Sequence, residues 1–182
     1  MSTWQLPDPE ATRELGRRLA GVLRAGDLVV LTGDLGAGKT TLTQGIGAGL
    51  GVRGQVASPT FIIARAHPSL GEGPDLVHVD AYRLTSLAEV DALDLDSSLE
   101  DSVTVVEWGE GMVEGLAEDR LEVTVARPRG GLVARDEADD AGTRTVTIET
   151  HGARWDGVDL RAALGELVRP ADDARADGGS AG

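Results

Sequence analysis

Residues 28–41 read Leu28-Val29-Val30-Leu31-Thr32-Gly33-Asp34-Leu35-Gly36-Ala37-Gly38-Lys39-Thr40-Thr41. The apolar run at the start is typical of a strand that is buried on both faces of a sheet. The segment from Gly33 to Thr40 fits G-x-x-x-x-G-K-[ST], the phosphate-binding pattern known as the P-loop. A helix is predicted from Lys39 to Leu50. A buried strand, a glycine-rich turn and a helix in this order predict an α/β domain that binds phosphate.

Lys39 supports this interpretation, because it is the only lysine in a chain whose 17 basic side chains are otherwise arginine. A P-loop requires a compact ammonium on a flexible stem, and the planar guanidinium suits that task poorly. Glycines let the loop backbone wrap a phosphate, and the helix that follows adds a favourable field. Thr40 is placed to bind Mg²⁺, and Thr41 can add a donor near the phosphates. The predicted nucleotide contacts in the loop are Gly33, Leu35, Gly36, Ala37, Gly38, Lys39, Thr40 and Thr41.

Two acidic residues follow predicted strands and are candidates for the metal shell and the attacking water. Asp80 ends the run Leu76–Asp80, and Glu107 ends the run Val103–Glu107. A carboxylate at the C-terminal edge of a parallel sheet points towards the ligand crevice. Either residue could instead cap a helix or end a solvated strand. The pattern does not decide which acid would bind the metal and which would position the attacking water.

Other polar segments carry weaker signals. Ser58-Pro59-Thr60-Phe61 lies where nucleotide switches often occur, although it also fits a simple turn before a strand. His78 lies on an apolar strand and is interpreted as structural. His67 and His151 have no spacing that suggests a metal site.

Composition and charge limit the possible functions. The chain has 182 residues, no cysteine and a net charge of −14. Its acidity argues against direct binding of nucleic acid, so any RNA would be held by another subunit. No apolar run is long enough for a membrane span and no signal-peptide pattern is present, so a cytoplasmic protein is expected. We expect one domain over residues 1–168, followed by a disordered acidic tail over 169–182.

Helices and strands alternate along the predicted domain. Asp8 and Pro9 predict the start of a first helix, and Gly26 is expected to cap its end. Alternation of this kind predicts a largely parallel sheet flanked by helices. Residues 127–142 are expected to form an exposed hairpin insertion within an antiparallel C-terminal hairpin. The remaining predicted strands are Phe61–Ala66, Leu76–Asp80, Val103–Glu107, Leu121–Ala126 and Thr143–Thr150, and the remaining predicted helices are Leu87–Leu93, Gly111–Leu116 and Val158–Val168.

Several motifs together resemble one family. They are Gly33–Thr41, Ser58–Phe61, His78–Leu84 and Glu107-Trp108-Gly109-Glu110, preceded by Glu10–Gly16. In this order and spacing they are similar to the bacterial tRNA threonylcarbamoyladenosine biosynthesis ATPase TsaE, formerly YjeE. The similarity runs from about residue 8 to 126 and is looser up to about 168.

This resemblance implies a P-loop ATPase that uses ATP and Mg²⁺. It would support the synthase that places threonylcarbamoyl on adenosine 37 of tRNAs reading ANN codons. Its partners would be TsaD and TsaB, which hold the tRNA, and its turnover would be weak without them. Carried over by position, Lys39 would bind phosphate, Thr40 and Glu107 would ligate Mg²⁺, Asp80 would be the Walker-B-like acid and Thr12 would lie near the adenine. Residues 58–61 would form the switch.

Three other functions are alternatives to this one. A small GTPase needs an asparagine-bearing motif for its base, and this chain contains no asparagine. A small-molecule or nucleotide kinase would need arginines over the phosphates, and Arg65 or Arg83 could serve. A non-catalytic ATP-binding module is the third alternative.

Overall fold

The strands that the structure describes form one mixed sheet of seven strands. The computed structural model describes residues 1–57, 63–84, 86, 88–89, 93–127 and 142–166. The order of the strands across the sheet is β1-β7-β6-β2-β5-β4-β3. The strands are β1 Ser2–Leu6, β2 Leu28–Thr32, β3 Ala64–His67, β4 Asp75–Asp80, β5 Ser102–Glu107, β6 Arg120–Ala126 and β7 Arg144–His151.

The centre of the sheet is parallel and its margins are antiparallel. β2 pairs in parallel with β5 and β6, and β4 pairs in parallel with β5. β7 pairs antiparallel with both β6 and β1, and β3 pairs antiparallel with β4. The predicted P-loop NTPase-like α/β fold, with its mostly parallel sheet and antiparallel C-terminal hairpin, is therefore confirmed.

The register of the central strands brings their C-terminal ends together. Leu31 of β2 is paired with Glu107 of β5, and Glu107 is paired with Asp80 of β4. Since paired residues point to the same face of a sheet, the two acidic side chains lie on one face. The P-loop begins directly after β2 at the same edge.

Helix α1, Pro9–Ala20, begins as predicted but ends earlier. The Asp8 side chain accepts a hydrogen bond from the Ala11 backbone N–H at 2.8 Å. The helix closes at Gly21, whose N–H donates to the Arg18 carbonyl at 3.0 Å. The prediction that Gly26 caps this helix is wrong. Gly26 instead has a φ of +91° and donates to the Ser102 carbonyl, where the chain enters β2.

Helix α2, Lys39–Leu50, packs closely against α1 through glycines. A Cβ added to Gly45 would lie 2.9 Å from Arg13 Cα, and one added to Gly16 would lie 2.8 Å from the Ile46 nitrogen. Gly49 meets Ala20 and Arg17 in the same way. Gly45 and Gly49 of α2 are therefore close-packing positions, which let the two helix backbones meet.

Two apolar clusters cover the two faces of the sheet. The larger one joins α1 and α2 to the sheet face that carries Leu31, Val105 and Leu121. The second one covers the opposite face with Leu84, Val113 and the short helix Leu95–Leu99, among others. His78, Asp80 and Glu107 share the strand alternation of the first face, so the site lies on the side of α2.

Some predicted elements differ in extent. Strand β1 was not predicted, β3 begins at Ala64 instead of Phe61, and the segment 111–116 contains only the short 3₁₀ helix Glu114–Leu116. The C-terminal helix is short, Leu160–Leu164, and further 3₁₀ turns occupy Ala81–Arg83 and Ala153–Trp155. Residues 58–62, most of the predicted helix 87–93, the insertion over 128–141 and the tail from 167 lie outside the described residues. Among the described helices, none has the length and apolar character needed to cross a membrane.

Candidate functional site

A cavity of about 280 Å³ lies at the C-terminal edge of the central strands. The P-loop and the start of α2 form one wall, and the ends of β4 and β5 form the other. The residues that line it are Leu35, Gly36, Gly38, Lys39, Thr40, Thr41, Asp80, Glu107 and Trp108. The motif and the two predicted acids therefore meet in one place. Gly33 and Ala37 form the backbone of the same loop without lining the cavity.

Glycines are required at two points of the loop. Gly33 has a φ of +147°, and a Cβ there would collide with the carbonyl oxygen of Val125 on β6. Gly38 has a φ of +111° and precedes the first residue of α2. Because side chains rarely tolerate these backbone angles, the loop conformation depends on glycine at both positions.

The Lys39 side chain is enclosed by the backbone of the P-loop and by Trp108. Its Nζ donates to the carbonyl oxygens of Gly33 at 2.8 Å and Asp34 at 3.0 Å, and it lies 3.8 Å from the centre of the Trp108 ring. Burial lowers the pKa of Lys39, and the carboxylates of Glu107, Asp80 and Asp34 oppose that shift. Since an ammonium has three N–H donors and two are used here, one donor is left for a phosphate.

A hydrogen bond between Thr40 and Glu107 links the start of α2 to the end of β5. The Thr40 hydroxyl donates to Glu107 Oε1 at 3.0 Å and lies 3.4 Å from Oε2. The Glu107 side chain is almost fully buried, and His78 Nε2 lies 2.8 Å from the same Oε1. The interpretation of His78 as a structural residue did not predict this contact. The available signal was its position two residues before Asp80, which places both side chains on one face of β4.

Oxygen atoms at this point fit a magnesium ion. Hydroxyl and carboxylate oxygens are its preferred ligands, and Mg²⁺ usually takes one or two from the protein and the rest from phosphate and water. In the part of the chain that the structure describes, no three histidine, aspartate or glutamate side chains converge as a metal-binding group. Thr40 and Glu107 are the residues here whose oxygen atoms could hold a Mg²⁺ ion.

Asp80 lies beside Glu107 and also shapes the turn after β4. Its Oδ1 accepts a hydrogen bond from the Tyr82 backbone N–H at 3.0 Å, which caps the 3₁₀ turn Ala81–Arg83. Asp80 is thus a helix cap, which was one of the alternatives for it, and it also lines the cavity. Its carboxylate is a candidate to orient a water molecule.

Trp108 lines the cavity and Tyr82 packs against its ring, an arrangement that the sequence did not indicate. Trp108 has a φ of +63°, which is unusual for a residue with a large side chain. Its ring covers Lys39 and meets Tyr82 edge-on, with ring centres 5.3 Å apart. Tyr82 is 69% exposed. The rings thus extend from the lysine to the surface of the protein.

A buried arginine supports the loop from the C-terminal strand. Arg144 of β7 is 2% exposed, and its Nε donates to the Ala37 carbonyl at 3.4 Å. It also donates to the carbonyl of Gly142. The sequence offered no signal for this contact, because it depends on the position of β7 next to β6.

Three other residues considered for the site are not among those that line the cavity. Thr12 is buried within α1, where its hydroxyl donates to the Asp8 carbonyl at 3.3 Å, and it does not line the cavity. Arg65 and Arg83, which a kinase could recruit, are not among the lining residues. The proposed switch, residues 58–61, lies outside the described residues, so its role remains a prediction.

Comparison with known proteins identifies the family. A family model described as threonylcarbamoyl adenosine biosynthesis protein TsaE matches residues 6–135, which include the P-loop, Asp80 and Glu107. The chain belongs to the TsaE family. The matched TsaE region thus covers every residue that lines the cavity.

Individual TsaE proteins and one solved structure agree with this result. The tRNA threonylcarbamoyladenosine biosynthesis protein TsaE of Streptomyces coelicolor is 62% identical over 154 residues, which cover 84% of this chain and 99% of the relative. The TsaE protein of Bacillus subtilis is 38% identical over 125 residues, which cover 68% of this chain and 77% of the relative. The crystal structure of YdiB from Bacillus subtilis is 30% identical, with a TM-score of 0.63 and coverage of 90% of this chain and 93% of that one.

Proposed function

We propose that this chain is a Mg²⁺-dependent ATPase that supports formation of threonylcarbamoyladenosine at position 37 of tRNAs reading ANN codons. The observation that carries the proposal is the meeting of Lys39 with the Thr40–Glu107 pair in one cavity of a TsaE-family chain. The relatives are named for biosynthesis of this modified nucleoside. A P-loop beside two acids supports the ATPase part of the proposal.

The residues of the loop would bind ATP and orient it. The Lys39 ammonium would contact the β- and γ-phosphates with the donor that the loop carbonyls leave available. Backbone N–H groups between Gly36 and Thr40, at the start of α2, would surround the phosphates where the helix field favours negative charge. Thr41 lines the same wall and would add a hydroxyl donor.

The two acids would have different tasks. Thr40 and Glu107 would hold Mg²⁺, which when bound neutralises charge that develops on the phosphates. Asp80 would orient the attacking water, since its carboxylate lines the cavity beside Glu107. Burial of Lys39 and Glu107 would strengthen their interactions with the phosphates and the metal, because charges interact more strongly away from bulk water.

The acidic surface supports an indirect relation to tRNA. With a net charge of −14, the protein repels the phosphate backbone of RNA. We therefore infer that the partner subunits TsaD and TsaB hold the tRNA in the cytoplasm and that this chain docks on them. ATP turnover would reset the complex between cycles instead of driving threonylcarbamoyl transfer directly.

Turnover measured with and without the partners tests this function. We expect ADP and phosphate to form slowly with the chain alone and faster when TsaB and TsaD are added, together with more modified tRNA. Glu107→Gln should reduce both outputs at least tenfold while the protein still folds, because the metal ligand would lose its charge. Phosphate transfer to a small acceptor would instead indicate a kinase, and tight ATP binding without turnover in any mixture would indicate a binding module.

A further inference from the structure

His78 and Glu107 form a buried pair behind the cavity. His78 Nε2 lies 2.8 Å from Glu107 Oε1, and the two side chains are 0% and 4% exposed. When Glu107 is ionised, its carboxylate only accepts hydrogen bonds, and in that state the imidazole donates from Nε2. The pair links neighbouring parallel strands β4 and β5 at the level of the site.

The environment of the imidazole indicates that Glu107 is the reason for its burial. His78 Nδ1 is buried and has no hydrogen-bond partner among the described residues. A buried polar atom without a partner is costly, and an apolar residue would avoid that cost at this position of an apolar strand. A histidine at this position can therefore hydrogen-bond to Glu107, whereas a valine or leucine could not.

The geometry of the carboxylate shows what this contact does. Glu107 Oε1 receives the bond from His78 at 2.8 Å and the bond from Thr40 at 3.0 Å. Oε2 has only the longer Thr40 contact, at 3.4 Å, among the described hydrogen bonds. His78 and Thr40 thus restrain one oxygen from two sides, and the other oxygen is left for a cation.

We propose that His78 is a positioning residue, which orients the Glu107 carboxylate so that it binds Mg²⁺ tightly. This inference rests on the proposed function, because it assigns His78 to the metal site of that ATPase. Groups that hydrogen-bond to a metal ligand fix its orientation, and their loss commonly weakens metal binding 10- to 100-fold. His78 itself would not touch the metal or the nucleotide.

The test compares His78→Leu with His78→Gln in the full chain. Binding of a fluorescent ATP analogue is measured first without metal and then across a Mg²⁺ titration. In His78→Leu we expect the Mg²⁺ concentration for half-maximal effect to rise about 10- to 100-fold, with metal-free nucleotide affinity within about twofold of the unchanged protein. In His78→Gln an amide N–H can reach the carboxylate, so we expect most of the Mg²⁺ response to return.

A matched control separates positioning from general disruption of β4. Val79→Ala alters the adjacent buried residue, which packs in the cluster on the opposite face, and it should lower thermal stability without changing the Mg²⁺ response. If Mg²⁺ changes nucleotide binding equally in the unchanged protein and in His78→Leu, His78 does not position the metal ligand. The proposed function would stand in that case. If His78→Gln is as impaired as His78→Leu, the donor is not what matters, which also overturns the inference. An unchanged protein whose nucleotide binding ignores Mg²⁺ would contradict the proposed function itself.

Discussion

At the scale of single residues, the surroundings of Lys39 explain why it is lysine in a chain that otherwise uses arginine. Its ammonium fits among two carbonyl oxygens at 2.8 and 3.0 Å and the ring of Trp108 at 3.8 Å. A guanidinium is planar and wider, so it would have to displace the loop or the indole. The position therefore selects for the shape of lysine as well as its charge.

We expect Lys39→Arg to be about as damaging as Lys39→Ala. Each should weaken ATP binding at least tenfold, or ~1.4 kcal/mol, when affinity is measured by calorimetric titration. Arg24→Lys, at an exposed position beyond α1, is the matched control and should bind ATP normally. ATP affinity of Lys39→Arg within twofold of the unchanged protein would show that charge alone suffices.

At the scale of elements, the contact between α1 and α2 positions the phosphate loop. Lys39 and Thr40 are the first residues of α2, so movement of that helix would move both functional groups. Gly16 of α1 and Gly45 of α2 allow the backbones to touch. The glycines thus lower the intrinsic helix propensity of α2 but improve its packing.

We expect Gly45→Ala to destabilise the protein, although alanine in a helix is ordinarily better than glycine by up to ~1 kcal/mol. The added Cβ would lie 2.9 Å from Arg13 Cα, and overpacking of this kind costs about 1–3 kcal/mol. For a protein of this size, each kcal/mol lowers the melting temperature by about 2–4 °C. Gly71→Ala, where a Cβ meets nothing within 4 Å, should leave the thermal melt nearly unchanged. A higher melting temperature for Gly45→Ala would mean that the helices can separate without cost.

At the scale of the whole molecule, local patterns predicted the centre of the fold and long-range pairing determined its margins. The strand, loop and helix over 28–50 could be predicted because the glycines, the apolar run and the lysine are adjacent in sequence. Strand β1, Ser2–Leu6, has only two apolar residues, Trp4 and Leu6, and exists through its antiparallel pairing with β7, near the other end of the domain. No local pattern carries that information.

The same distinction applies to the site. Lys39, Thr40, Asp80 and Glu107 could be predicted because each belongs to a motif or ends an apolar strand. The contact of His78 with Glu107 depends on the register between β4 and β5, and that of Arg144 with Ala37 depends on where β7 lies in the sheet. Such contacts join residues that are distant in sequence, so composition and spacing could not reveal them.

The most direct measurement is a crystal structure of the full chain grown with Mg²⁺ and a non-hydrolysable ATP analogue. We expect the β- and γ-phosphates to lie against Gly36, Gly38 and Lys39, with the metal bound to oxygens of Thr40 and Glu107. A nucleotide bound elsewhere on the protein, or a metal that contacts neither residue, would contradict this expectation.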